Sequence, residues 1–155
     1  MSQLLAVEGI VTPSQSKTHI TYSFVLEEPA SSLELQFKYT PKHLDDQETS
    51  RALILEAIDK YAAPAVAEQQ KREWAKFMPL QNLLTLSLDD PARFRGSAHR
   101  HTPEQKHLVC EEAASPGFIA GPMPQGVWKV TISVHCVVTP ECSYTLTVKN
   151  GEGSV

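Results

Sequence analysis

From Trp128 to Cys136, within the stretch Val127 to Val138, apolar and polar side chains alternate without a break. Trp128, Val130, Ile132, Val134, Cys136 and Val138 fall on one face, and Lys129, Thr131, Ser133 and His135 fall on the other. A period of two held this long predicts a strand with one buried face. Thr139-Pro140-Glu141 predicts a turn, because proline presets a turn dihedral and removes a ladder donor. Tyr144, Leu146 and Val148 resume the alternation, so the expectation for 127–148 is a β-hairpin that buries an apolar face. The preceding run, Ser115 to Gly126, is rich in proline and glycine and predicts a rigid, extended approach to the first of these strands.

The same periodicity recurs upstream. Residues 3–12 are apolar and end at Thr12-Pro13-Ser14. Ile20, Tyr22, Phe24 and Leu26 alternate with His19, Thr21 and Ser23, and Leu33, Leu35, Phe37 and Tyr39 alternate with Glu34, Gln36 and Lys38. Leu84, Leu86 and Leu88 form another alternating set, and Leu108-Val109-Cys110 a short one. Between 45 and 78 the period changes. This stretch is rich in Ala, Glu, Gln, Lys and Leu, all good helix formers. Asp45 with Glu48 predicts a capping pair, Ile54, Ala57, Ile58 and Tyr61 share one helical face, and Pro64 suits the first turn of a second helix. Trp74 and Phe77 follow at helical spacing and are expected to pack on the sheet. Seven or eight strands without regular βαβ alternation predict an all-β fold, an antiparallel β-sandwich of jelly-roll-like form with a helical insertion at about 45–78.

At 155 residues the chain is expected to form a single domain over 1–150 with a loose tail at 151–155. A net charge of −4 argues against a general nucleic-acid binder. No apolar run approaches the roughly 20 residues that cross a bilayer. The opening Met1 to Glu8 lacks a basic segment and meets a glutamate at once, which argues against a signal peptide. Three cysteines (Cys110, Cys136, Cys142) make no disulfide framework, so the expected compartment is the reducing cytoplasm.

Candidate chemistry concentrates between Asp89 and His107, which reads as a polar, basic loop. Arg95, His99, Arg100 and His101 are the candidate ligand-binding residues, suited to an anionic or carbohydrate-like ligand or to a partner protein. An alternative is a divalent metal held by the His99-x-His101 pair with His107 and Asp89, in a small metal-dependent hydrolase. A bland alternative pairs Arg95 with Asp89 or Asp90. A further alternative is a structural or homo-oligomerising domain in which the helical insert forms an interface. Ser97 lies near His99 without a nucleophile-elbow pattern, and Cys110 precedes Glu111-Glu112, a poor setting for a reactive thiolate. No Gly-rich phosphate loop is present. The expectation is therefore a binding module with no cofactor, rather than an enzyme.

Three segments carry a family resemblance: Asn82 to Pro91, Phe94 to Arg100, and Ala113 to Trp128 with its Ser-Pro-Gly-Phe-Ile-Ala-Gly-Pro-Met-Pro-Gln-Gly-Val-Trp run. Together they resemble the β-rich accessory domain found ahead of bacterial PHP-type metal-dependent phosphoesterases. The match covers roughly 80–148 well and 1–40 by pattern, and the 45–78 insert departs from it. The resemblance implies a β-sandwich in an accessory role, standing alone, that binds a substrate, a glycan or a partner enzyme. It carries over no catalytic residue. His99-Arg100-His101-Thr102 looks like the His-x-His that opens a PHP active site, but it precedes the Pro/Gly run and is not that site.

Overall fold

The computed structural model describes residues 2–151. Ten strands and two helices follow in chain order: β1 (Ser2–Val11), β2 (Thr18–Leu26), β3 (Ser32–Thr40), β4 (His43–Leu44), α1 (Gln47–Tyr61), α2 (Pro64–Arg72), β5 (Leu80–Gln81), β6 (Leu83–Asp89), β7 (Phe94–Ala98), β8 (Glu104–Cys110), β9 (Gly126–Cys136) and β10 (Cys142–Gly151). Eight of the strands form two four-stranded antiparallel sheets, ordered β1-β10-β3-β8 and β2-β9-β6-β7. This order is a jelly roll, in which the chain crosses from sheet to sheet at nearly every connection. Among the eight sandwich strands, only the β6–β7 connection stays within one sheet. Gly151 closes β10; the remainder of the expected tail, 152–155, lies outside the described residues.

That topology overturns the expected hairpin. β9 pairs with β2 and β6, whereas β10 pairs with β1 and β3 in the other sheet. The alternation also slips at the end of β9: Val137 is buried, while Cys136 and Val138 are half-buried. Asn82, fully buried, holds the crossing. Its Oδ1 accepts from Val138 N at 2.7 Å and Thr139 N at 3.4 Å, and its Nδ2 donates to Pro41 O and Thr139 Oγ1. A buried amide with every polar atom partnered fixes a loop more firmly than apolar contact alone.

The core lies between the sheets. Trp128, Val130, Ile132 and Val134 of β9, with Leu84, Leu86 and Leu88 of β6, face Leu35, Phe37, Leu146 and Val148 of the opposing sheet. Phe24 stacks on Trp128 with ring centroids 6.2 Å apart. Each such buried side chain contributes about 1.5–3 kcal/mol. All three cysteines are unpaired.

The insert leaves this sandwich between β4 and β5, which pair with each other and clasp its base. The cap of α1 is Asp46, one residue later than expected, with its carboxylate accepting from Thr49 N at 3.2 Å. Pro64 starts α2 as expected. Ile54 and Ile58 are buried, yet neither they nor Leu44 belong to the sandwich core; they form a separate apolar layer beneath α1. Trp74 and Phe77 do not pack on the sheet. Trp74 is half-buried with Arg51 over its ring, and Phe77 is exposed. An apolar surface between the insert and the sheet crossing stays open.

Candidate functional site

The expected basic loop at 89–107 is mostly strand. Asp90 to Arg93 make the turn, with Asp90 Oδ1 accepting from Ala92 N at 2.7 Å and Arg93 N at 2.8 Å. Then β7 runs beside β6, and β8 begins at Glu104 in the other sheet. Only 99–103 remain as an inter-sheet loop, and this segment carries His99, Arg100 and His101, all exposed.

Arg95 is not available as a surface ligand-binding group. It points into the core, is fully buried, and lies 5.4 Å from the centre of the Trp128 ring. Nη1 donates to Asp90 Oδ2 at 3.1 Å and Pro122 O at 2.7 Å, Nη2 to Gly121 O at 3.0 Å, and Nε to Ile119 O at 3.0 Å. The pairing with Asp90 is the structural alternative raised by the sequence. Burial pushes the Asp90 carboxyl up, but the amides of Ala92 and Arg93 and the Arg95 guanidinium together outweigh it and hold the group below the ordinary carboxylate value.

The expected metal set does not converge. His107 sits inside the other sheet, its Nε2 2.9 Å from Gln105 Oε1 and its ring 4.9 Å from that of Phe118. Burial, with a smaller push from Arg100, holds it below the ordinary histidine value. Its partner Gln105 donates to Thr102 O at 2.7 Å, so this pair braces the 99–103 loop from beneath. Asp89 lies four residues along β6 from Thr85, about 13 Å at the rise of a strand, and thus at the far end of the sheet from His99. Among the described residues, no group of three His, Cys, Asp or Glu side chains is gathered to hold a metal ion.

His99 instead meets histidines that the sequence left scattered. On the outer face of the β2-β9-β6-β7 sheet, its ring centroid is 5.9 Å from that of His135. His135 Nε2 lies 2.7 Å from Thr85 Oγ1, and His19 Nδ1 lies 3.0 Å from Ser133 Oγ. The register sets His19 and Thr85 on either side of Ser133. Burial holds His135 below the ordinary histidine value, and the charges of His99, His19 and His101 push the same way. The outward positions of β2 and β9 were legible; that β2 lies beside β9 was not.

The second surface is the apolar opening left by the insert, a groove of about 740 Å³. Ile54, Ala57 and Ile58 of α1 form its floor. Leu80 and the sheet crossing, through Val137, Val138 and Pro140, form one wall. Leu53, Tyr61 and Phe77 stand at the rim and are exposed. Thr49 and Gln70 add polar groups to the lining. The periodic face Ile54-Ala57-Ile58-Tyr61 signalled an apolar helix surface, but nothing in the sequence signalled that it would remain open.

The fold and these surfaces define a two-sheet antiparallel β-sandwich with a two-helix insertion. No protein-family model matches the chain, and no curated protein matches it. Among solved structures, it is similar to a protein from Sulfurospirillum deleyianum, at 8% identity and a TM-score of 0.34, with 96% of this chain and 99% of that chain covered. It is also similar to the CUB1-EGF-CUB2 domain of human MASP-1/3, at 8% identity and a TM-score of 0.30, covering 94% of this chain and 42% of that one.

Proposed function

We propose that the protein is a non-enzymatic binding module that takes an apolar small molecule, of acyl-chain or aromatic character, in the groove beneath the helical insert. The observation that carries this reading is the groove itself. Its volume of about 740 Å³ falls within the range of roughly 300–1,000 Å³ typical of small-molecule sites, which are mostly apolar with a few placed polar groups. Thr49, Gln70 and the Tyr61 hydroxyl are the polar groups that could orient a ligand headgroup. The exposed rim, with Tyr61 at 70% and Phe77 at 42%, gives the ligand a way in and would be covered when it binds.

An accessory role of the kind implied by the resemblance of 80–148 to the domain ahead of PHP-type phosphoesterases is compatible with this reading. An anion site built on Arg95 is not, because every guanidinium nitrogen already has an internal acceptor.

The test is titration of the folded protein with dodecanoate and with anilinonaphthalene sulfonate, followed by calorimetry and fluorescence. Saturable binding at one site is expected, weakened at least tenfold in Leu53→Glu, which places a charge at the rim without touching the sandwich core. Absence of saturable binding by both probes, or unchanged affinity in a folded Leu53→Glu variant, would overturn the proposal.

A further inference from the structure

The histidines on the outer face of the β2-β9-β6-β7 sheet support a second, independent site. A metal ion lies about 2.0–2.1 Å from an imidazole nitrogen, and the nitrogen about 1.1 Å from its ring centre, so two rings sharing one ion have centres about 5–6.4 Å apart. The His99 and His135 centroids, 5.9 Å apart, fall inside that window, with the ring planes tilted by 55°. Thr85 supplies a typical outer contact: its hydroxyl lies 2.7 Å from His135 Nε2. When Nε2–H donates to that oxygen, the lone pair is left on Nδ1, ready for a metal. Ligating histidines are usually held through their second nitrogen in this way. His101 follows His99 by two residues on the exposed 99–103 loop, whose Thr102 carbonyl accepts from Gln105.

We propose that His99 and His135 bind one divalent ion of the imidazole-seeking class, zinc, copper or nickel, with water completing the coordination. Imidazole ligation suits these ions, and a set of neutral nitrogen donors disfavours calcium and magnesium, which require oxygen. This ligand set differs from the one the sequence suggested. It keeps His99, drops His101, His107 and Asp89, and adds His135 from β9, two strands from β7 in the same sheet and 36 positions from His99 in the chain.

The experiment is isothermal titration of protein carrying no histidine tag with zinc and with copper(II), alongside paramagnetic resonance of the copper complex. One saturable equivalent is expected, with nitrogen hyperfine structure from at least two imidazoles. His99→Ala and His135→Ala should each weaken binding tenfold or more, while His43→Ala, on exposed β4, leaves it unchanged. Circular dichroism of each variant establishes that the fold is kept. No saturable equivalent, or full affinity in folded His99→Ala or His135→Ala, would overturn the assignment. Loss of apolar-ligand binding in Leu53→Glu would leave this result untouched, so the two sites are tested separately.

Discussion

Replacing Arg95 with methionine isolates the polar work of the most deeply buried cation in the chain. Methionine keeps most of the aliphatic stem, so Trp128 remains covered and little cavity opens. What is lost is the charge on Asp90 Oδ2 and the donors to Ile119 O, Gly121 O and Pro122 O. Removing one partner of a buried ion pair costs about 3–5 kcal/mol, and each buried acceptor left without a donor about 1–3 kcal/mol. Two effects offset part of this. Asp90 keeps the amides of Ala92 and Arg93, and the 119–123 segment lies near enough to the surface to admit water once the cation is gone. The expected loss is about 4 kcal/mol. For a chain of this length that lowers Tm by about 8–16 °C.

Urea unfolding monitored by tryptophan fluorescence measures the loss, and a cycle with Asp90→Asn isolates the pair. A coupling of about 1.5 kcal/mol or more is expected for groups in direct contact. The pH dependence gives an independent sign check. The folded Asp90 carboxyl titrates below its unfolded value of about 3.9, so its contribution is complete above that value and is lost as pH falls through the lower folded one. In Arg95→Met the folded value moves back toward the unfolded one, so the gap between wild type and variant narrows below about pH 4. A loss under about 1 kcal/mol, or an additive cycle, would refute the view that Arg95 is a structural cation.

Two further outcomes follow from the same region. Gly96 has φ +105, and a Cβ there would lie 2.3 Å from Gly117 O and 2.6 Å from Phe118 Cα, so Gly96→Ala should destabilise by about 2 kcal/mol or more and separate β7 from the Pro/Gly run; amide exchange at Ser97 and Ile119, both bonded across this contact, reads the separation. Because burial holds folded His107 below its unfolded value of about 6.5, its contribution is complete above that pH and declines as pH falls below it; His107→Phe should flatten the fall in stability between about pH 6.5 and 5, measured as the slope of unfolding free energy, and an unchanged slope would count against the assignment.

The hydrophobic alternation exposed the strands because each has one face in the core, and Trp128 to Val134, Leu84 to Leu88 and Leu33 to Tyr39 lie where it placed them. Alternation records which face is buried, not which strand is adjacent. A hairpin at 127–148 and a jelly roll were both compatible with the pattern, yet they exclude each other, since a jelly roll places its last two strands in different sheets. The fold class was legible, and this pairing was not. The histidine face was hidden for the same reason: His19, His135 and His99 each occupy an ordinary outward position, and only the order β2-β9-β6-β7 brings them together. The groove depends on how far the insert can reach, which no local pattern encodes.

The misreading of Arg95 has a more specific cause, and one that the sequence could have revealed. Cations clustered between two strands suggest a solvated loop, and β7 offers Arg95 and Gly96 where a strand would usually bury apolar side chains. The run 115–126, however, is built on Pro116, Pro122 and Pro124 and pairs with no full strand. Where such a run passes over a core, its carbonyls need donors that no neighbouring ladder supplies. Arginine is the side chain with five donors and no acceptor, and its planar head can lie on an aromatic ring while serving them. Trp128 provides that ring and also donates its own Nε1–H to Pro124 O at 2.9 Å. The basic cluster and the Pro/Gly run are therefore two halves of one structural device. Of the arginines in that cluster, the two left exposed lie beyond this device: Arg93 at the turn, and Arg100 on the loop that carries His99 and His101.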